Sequence, residues 1–110
     1  MIKRISFIRR RDGMSEDEFF RYWTGPHADL VKQMPGVRGL RFGRVHGWTP
    51  EEARWDGVGE LWFDSLEAAR QAFATEPFAS MLAADRPKFM REAQSCFVEE
   101  HTALPPPQGR

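Results

Sequence analysis

An α+β fold in the order β-α-β-β-α-β is predicted by three observations. Four segments alternate in side-chain character with a period of two. The stretches between them carry apolar residues at three- and four-residue spacing behind capping signals. The whole pattern fits in 110 residues, enough for one domain and no more. Two helical regions joined to four strands in this order lie on one face of a four-stranded antiparallel sheet, the split-βαβ or ferredoxin-like arrangement.

The first strand is Ile2 to Ile8, with Ile2 and Ile8 on one face and Ile5 and Phe7 on the other. After Arg9 to Gly13, Ser15-Glu16-Asp17-Glu18 supplies a Ser N-cap, a Glu at N3 and acids in the first turn, so a helix begins near Ser15. Its apolar stripe, from Phe19 through Trp23, His27 and Val31 to Met34, runs across Gly25-Pro26 to a stop at Pro35-Gly36. Pro26 cannot donate to the Tyr22 carbonyl and is expected to kink or restart this helix. A second strand is expected from Val37 to His46, with Leu40, Phe42 and Arg44 facing one way and Gly39, Arg41 and Gly43 the other. Gly47 to Asp56 is a loop whose Trp48 and Trp55 must cover something. Val58 to Phe63 is the third strand. Ser65 caps a second helix through Leu66, Ala69, Ala72 and Phe73, which Pro77 interrupts. A further helical stretch with Phe78, Met81 and Leu82 ends at Asp85-Arg86-Pro87, and the last strand is expected from Ser95 to His101. Leu104 to Arg110, with three consecutive prolines, is expected to be a disordered tail outside a domain spanning 1–103.

The helices cover one face of the sheet, yet both faces of the first and third strands are apolar. A homodimer packed sheet to sheet is the expected remedy. A formal net charge of zero argues against nucleic acid or an anionic membrane surface as partner. The single cysteine, Cys96, excludes an intramolecular disulfide framework and a multi-Cys zinc site, and no stretch approaches the length needed to span a bilayer. A cytoplasmic protein is expected.

The run from Phe7 to Trp23, then His27-Ala28-Asp29-Leu30-Val31 and Met34-Pro35-Gly36-Val37, resembles the signature of the EthD-like family of the dimeric α+β barrel superfamily. Leu82-Ala83-Ala84-Asp85 followed by Phe89, and the closing strand through Glu99, extend the resemblance over roughly residues 2–101. It implies a ferredoxin-like protomer, a homodimer whose sheets form a barrel, and pockets between sheet and helices. The family takes its name from a protein needed beside a cytochrome P450 system that degrades fuel ethers. Similar barrels serve as lactone isomerases, polyketide cyclases, decarboxylases and monooxygenases, so the resemblance implies a scaffold more firmly than a reaction.

His27 is the candidate catalytic residue. It shares a helix face with Trp23 and Val31, which sets a titratable imidazole among apolar groups as a general acid or base requires; a structural histidine bonded to backbone would look the same. The histidine in the family signature adds to the catalytic side. Tyr22, the only tyrosine, and Trp23 adjoin the Gly25-Pro26 irregularity and are candidate substrate contacts, as is Trp62. Arg41, between Gly39 and Gly43 on its face, has room beside it for a carboxylate or enolate, or the glycines serve close packing. Asp85 reads as a helix-end or ion-pair group. No metal or other cofactor is expected, because His27, His46 and His101 fall on different elements and no Gly-rich turn exists to cradle a nucleotide. The leading function is a small-molecule enzyme of catabolic or secondary metabolism. It would move a proton on a hydrophobic oxygenated compound in an isomerase-, cyclase- or decarboxylase-like reaction. A non-catalytic accessory protein for a monooxygenase system and a haem or quinol monooxygenase are the alternatives.

Overall fold

The strand with apolar side chains on both faces lies inside the sheet. This is β1 (Ile2–Arg10), flanked by β3 (Gly57–Phe63) and β4 (Met90–Glu99), with β2 (Gly39–Arg44) beyond β3. All neighbours are antiparallel in the order β2-β3-β1-β4. This is the ferredoxin-like topology, in the computed structural model that describes residues 1–47 and 54–107.

α1 (Glu16–Tyr22) starts on the capping box read from the sequence: the Ser15 hydroxyl accepts from the Glu18 N–H at 3.1 Å, and the Glu18 carboxylate accepts from the Ser15 N–H at 3.3 Å. Pro26 does not break the chain. It widens one turn, Trp23–His27, into a π-helical coil, after which α2 (Ala28–Val31) resumes. α3 (Leu66–Ala74) is capped by Ser65 and α4 (Phe78–Asp85) follows Pro77, ending in a short 3-10 turn at Arg86–Lys88. The second strand is shorter than the expected Val37 to His46. The last runs over Met90–Glu99, not Ser95 to His101. Met90 to Gln94 carry no β-branched signal, and their extended form comes from pairing with β1, where Arg10 lies opposite Met90 and Ile8 opposite Ala93.

The helices share one side of the sheet and bury two apolar clusters there. Val31, Met34, Leu61, Phe63, Ala69 and Leu82 form one; Ile8, Phe19, Trp23 and Phe89 form the other. The outer face bears Ile5, Phe7, Val58, Trp62 and Val98, with Lys3, Glu60 and Arg41 among them. Trp55 covers part of it, its ring 6.1 Å from that of Phe7 and beneath the Arg9 guanidinium at 5.1 Å. Trp48 lies outside the described residues.

Candidate functional site

The two core clusters do not close on each other. Between them, under the helices, is a cavity of about 320 Å³ walled by side chains of both clusters, among them Ile8, Trp23, Val31, Leu61 and Leu82. The widened turn after α1 aims Trp23 and His27 into this seam. Trp23 can lie flat against the sheet because β3 presents glycine twice beneath it. A Cβ at Gly57 would stand 2.3 Å from the indole, and one at Gly59 would stand 3.1 Å from it.

His27 is buried, and its Nδ1 lies 2.8 Å from Oδ2 of Asp85, the last residue of α4. The other carboxylate oxygen of Asp85 accepts from the Tyr22 hydroxyl. Burial alone would raise the Asp85 carboxyl. The hydrogen bonds from Tyr22 and His27, with the charges of His27 and Lys88, outweigh it and hold the group below the ordinary carboxylate value. Tyr22 moves the other way, to about 12, because its proton is held by Asp85. Burial is the largest influence on His27 and pushes it below the ordinary 6.5, against the opposing pull of Asp85. At neutral pH the pair is therefore a carboxylate and a neutral imidazole. An ionised Asp85 only accepts, so Nδ1 carries the ring proton and Nε2 keeps its lone pair. The imidazole lines the cavity with its ring 4.6 Å from that of Phe89, and Nε2 has no protein partner among the described residues. Such an arrangement can accept a proton from a bound molecule and stabilise the imidazolium that results.

The residues singled out in the sequence divide between two places. Trp23 and His27 line the cavity, and Tyr22 stands behind them, bonded to Asp85 rather than facing the cavity. Arg41 and Trp62 stand on the opposite face of the sheet, the guanidinium 5.3 Å from the indole ring, and neither reaches the cavity. The space that Gly39 opens beside Arg41 is filled by the Trp62 ring, 3.1 Å from where a Cβ would stand, so in the protomer it is not free for an anion. Sequence reasoning gave Asp85 a lesser part than its contacts with His27 and Tyr22 do, and it missed Arg4, Ser6 and Arg86 on the cavity wall. The alternation of β1 put Arg4 and Ser6 on the face of Ile8 and could have found them. Among the described residues no group of three or more His, Cys, Asp or Glu side chains is placed to hold a metal ion, and no helix is long and apolar enough to cross a membrane.

A family model described as EthD domain matches residues 11–93. An uncharacterised 11.0 kDa protein from the thcB-thcC intergenic region of Rhodococcus erythropolis is 30% identical over 88 residues, which cover 79% of this chain and 84% of the relative. Among solved structures, an ethyl tert-butyl ether d (EthD) family protein from Bacillus halodurans superposes with a TM-score of 0.76 at 24% identity, covering 92% of this chain and 99% of that one. A hydroxynitrile lyase from Passiflora edulis gives 0.73 at 16% identity, with 94% and 96% covered. A dimeric protein of ferredoxin-like fold from Bacteroides fragilis gives 0.63 at 18%, with 90% and 95% covered. At these identities the structural likenesses speak for the fold alone.

Proposed function

This chain belongs to the EthD domain family, and from that premise we propose that it is a homodimeric small-molecule enzyme in which His27 moves a proton on a hydrophobic oxygenated ligand. The observation that carries the reading is a neutral imidazole that lines the cavity, with Nδ1 fixed by a buried carboxylate and Nε2 left without a protein partner among the described residues. Nε2 would take a proton from a carbon or oxygen acid beside a carbonyl. Asp85 orients the ring and stabilises its charged form, and Tyr22 holds Asp85 in place. Trp23 supplies an apolar wall. Isomerisation and cyclisation begin with removal of such a proton, and decarboxylation ends with a proton delivered to the carbon from which CO2 leaves, so the same imidazole would serve each. The dimer is supported by the apolar outer face and by the dimeric Bacteroides fragilis neighbour. The free, exposed Cys96 supports a reducing, cytoplasmic setting.

Deuterium exchange tests the proton step without knowledge of the full reaction. Aromatic keto acids, lactones and phenolic ketones are incubated with protein in D2O, and label appearing beside the carbonyl is followed by NMR. Catalysed exchange is expected with at least one compound class, falling by roughly 100-fold or more in His27→Asn. Binding without exchange would make the protein a carrier, and exchange that survives in His27→Asn would end the assignment of the proton transfer to His27.

A further inference from the structure

The wall of the His27 cavity carries charge that proton transfer leaves unused. Arg4 projects from β1 into the cavity, partly buried. Its Nη1 donates to Ser6 Oγ at 3.0 Å, and its guanidinium lies 4.7 Å from the centre of the Phe73 ring. Ser6 shares a hydrogen bond of 2.8 Å with Ser95. Arg86, the residue after Asp85, lines the same wall. An adjoining cleft of about 430 Å³, reached past Phe73 and Leu82, is bounded by Arg4 and Arg86 again and by Arg70.

Arg9, Arg10, Arg38, Arg44 and Arg91 each face a carboxylate, Arg41 rests on Trp62, and Arg11 and Arg21 face no carboxylate among the described residues. Arg4, Arg70 and Arg86 form no ion pair among the described residues. Desolvation works against the Arg4 charge, and so does the nearby charge of Arg86. A partly buried guanidinium facing a second cation is unfavourable until an acceptor joins it. A carboxylate or phosphate would take two parallel N–H donors from the guanidinium fork and relieve the repulsion between the two arginines.

We propose that the ligand of this cavity is an anionic amphiphile, with an apolar ring-sized body against Trp23 and Leu61 and a carboxylate or phosphate held by Arg4 and Arg86 where cavity and cleft meet. The proposal rests on the cavity being the ligand site; it does not require His27 to transfer a proton. It also gives the ligand a direction, with the charged end at the arginines and the body extending toward Nε2 of His27.

Three probes with one ring system separate charge from shape: 2-naphthoate, 2-naphthyl phosphate and uncharged 2-naphthylmethanol. Each is titrated into the full chain and followed by ¹⁵N-edited NMR. At least one anion is expected to bind tenfold or more tightly than the alcohol, and the tighter of the two identifies a carboxylate or a phosphate ligand. Arg86→Gln should cut that ratio severalfold and Arg4→Gln should abolish it, while Arg44→Gln, the same charge loss on the edge strand, leaves it intact. Should Arg4→Gln fail to fold, the exposed Arg86 position decides alone. Equal binding of anion and alcohol, no binding of either anion, or an unchanged ratio in Arg86→Gln overturns the anionic end. No deuterium exchange by the wild-type chain, with its anion preference intact, would overturn proton transfer alone.

Discussion

Tyr22 is the only tyrosine in the chain, so its ionisation can be followed in the native protein without interference from another phenol. Its hydroxyl is tied to Asp85, and the folded protein should show a phenolate absorbance midpoint near 12, where an ordinary tyrosine gives 10. Asp85→Asn removes the carboxylate that holds the proton, so the midpoint should fall toward 10; an unmoved midpoint would break the Tyr22–Asp85 link. The same dyad sets a pH dependence of stability. Folding lowers the His27 value below 6.5, so its contribution is complete above that pH and is lost as pH falls through the folded value. Asp85 is also lowered, from 3.8, and its contribution disappears only at more acidic pH. Urea midpoints should therefore decline between pH 7 and pH 5, and His27→Asn should flatten that slope. His27 was legible in the sequence because helical spacing put it among apolar neighbours. The role of Asp85 was not, since 58 residues separate it from His27 and only the packing of α4 against the widened turn joins them.

Helix starts were legible because capping is local: Ser15 with Glu18, and Ser65 with the Ala68 N–H, need nothing beyond their own turn. The extent of β4 was not, because half of that strand is extended only by virtue of its partner. The widened turn lies between these cases. Pro26 announced an irregularity, but that the turn would widen and keep both Trp23 and His27 facing the sheet depends on the surface beneath it. That surface is the glycine pair of β3. Gly57→Ala would drive a methyl group to 2.3 Å from the Trp23 ring, and the indole, stacked on Phe19 at 5.1 Å and packed edge-on to Phe42 at 4.7 Å, has little room to retreat. A loss of about 1–3 kcal/mol in equilibrium unfolding is expected, as overpacking a core costs, together with a changed Trp23 environment in near-ultraviolet circular dichroism. Wild-type stability in Gly57→Ala would show that the ring is free to move, and the cavity wall with it.

For the whole molecule the open question is what covers the outer face of the sheet. The tail is a poor candidate: Leu104 is 84% exposed and Pro105 to Pro107 form no strand. A chain ending at Ala103 should accordingly melt within a degree or two of the full chain, and a large drop would mean that residues 104–110 dock. A second copy fits better, because the face is mixed in a self-complementary way. Ile5, Phe7, Val58 and Val98 supply apolar area, while Lys3 is already paired with Glu60 at 2.7 Å and with Glu100 at 2.9 Å, and Arg41 rests on Trp62. Charges neutralised within the protomer can be buried against a partner at less cost than free ones. Arg41 and Trp62, remote from the His27 cavity, would then belong to the dimer interface. Phe7, in the central strand and 38% exposed, is the position where a charge should be tolerated by the protomer and rejected by the interface. Light scattering at micromolar concentration should give twice the 12.8 kDa chain mass for the wild type, and the chain mass for Phe7→Lys with its helical circular dichroism retained. A wild-type monomer would refute the barrel. A Phe7→Lys protein that stays dimeric would place the interface elsewhere on the molecule.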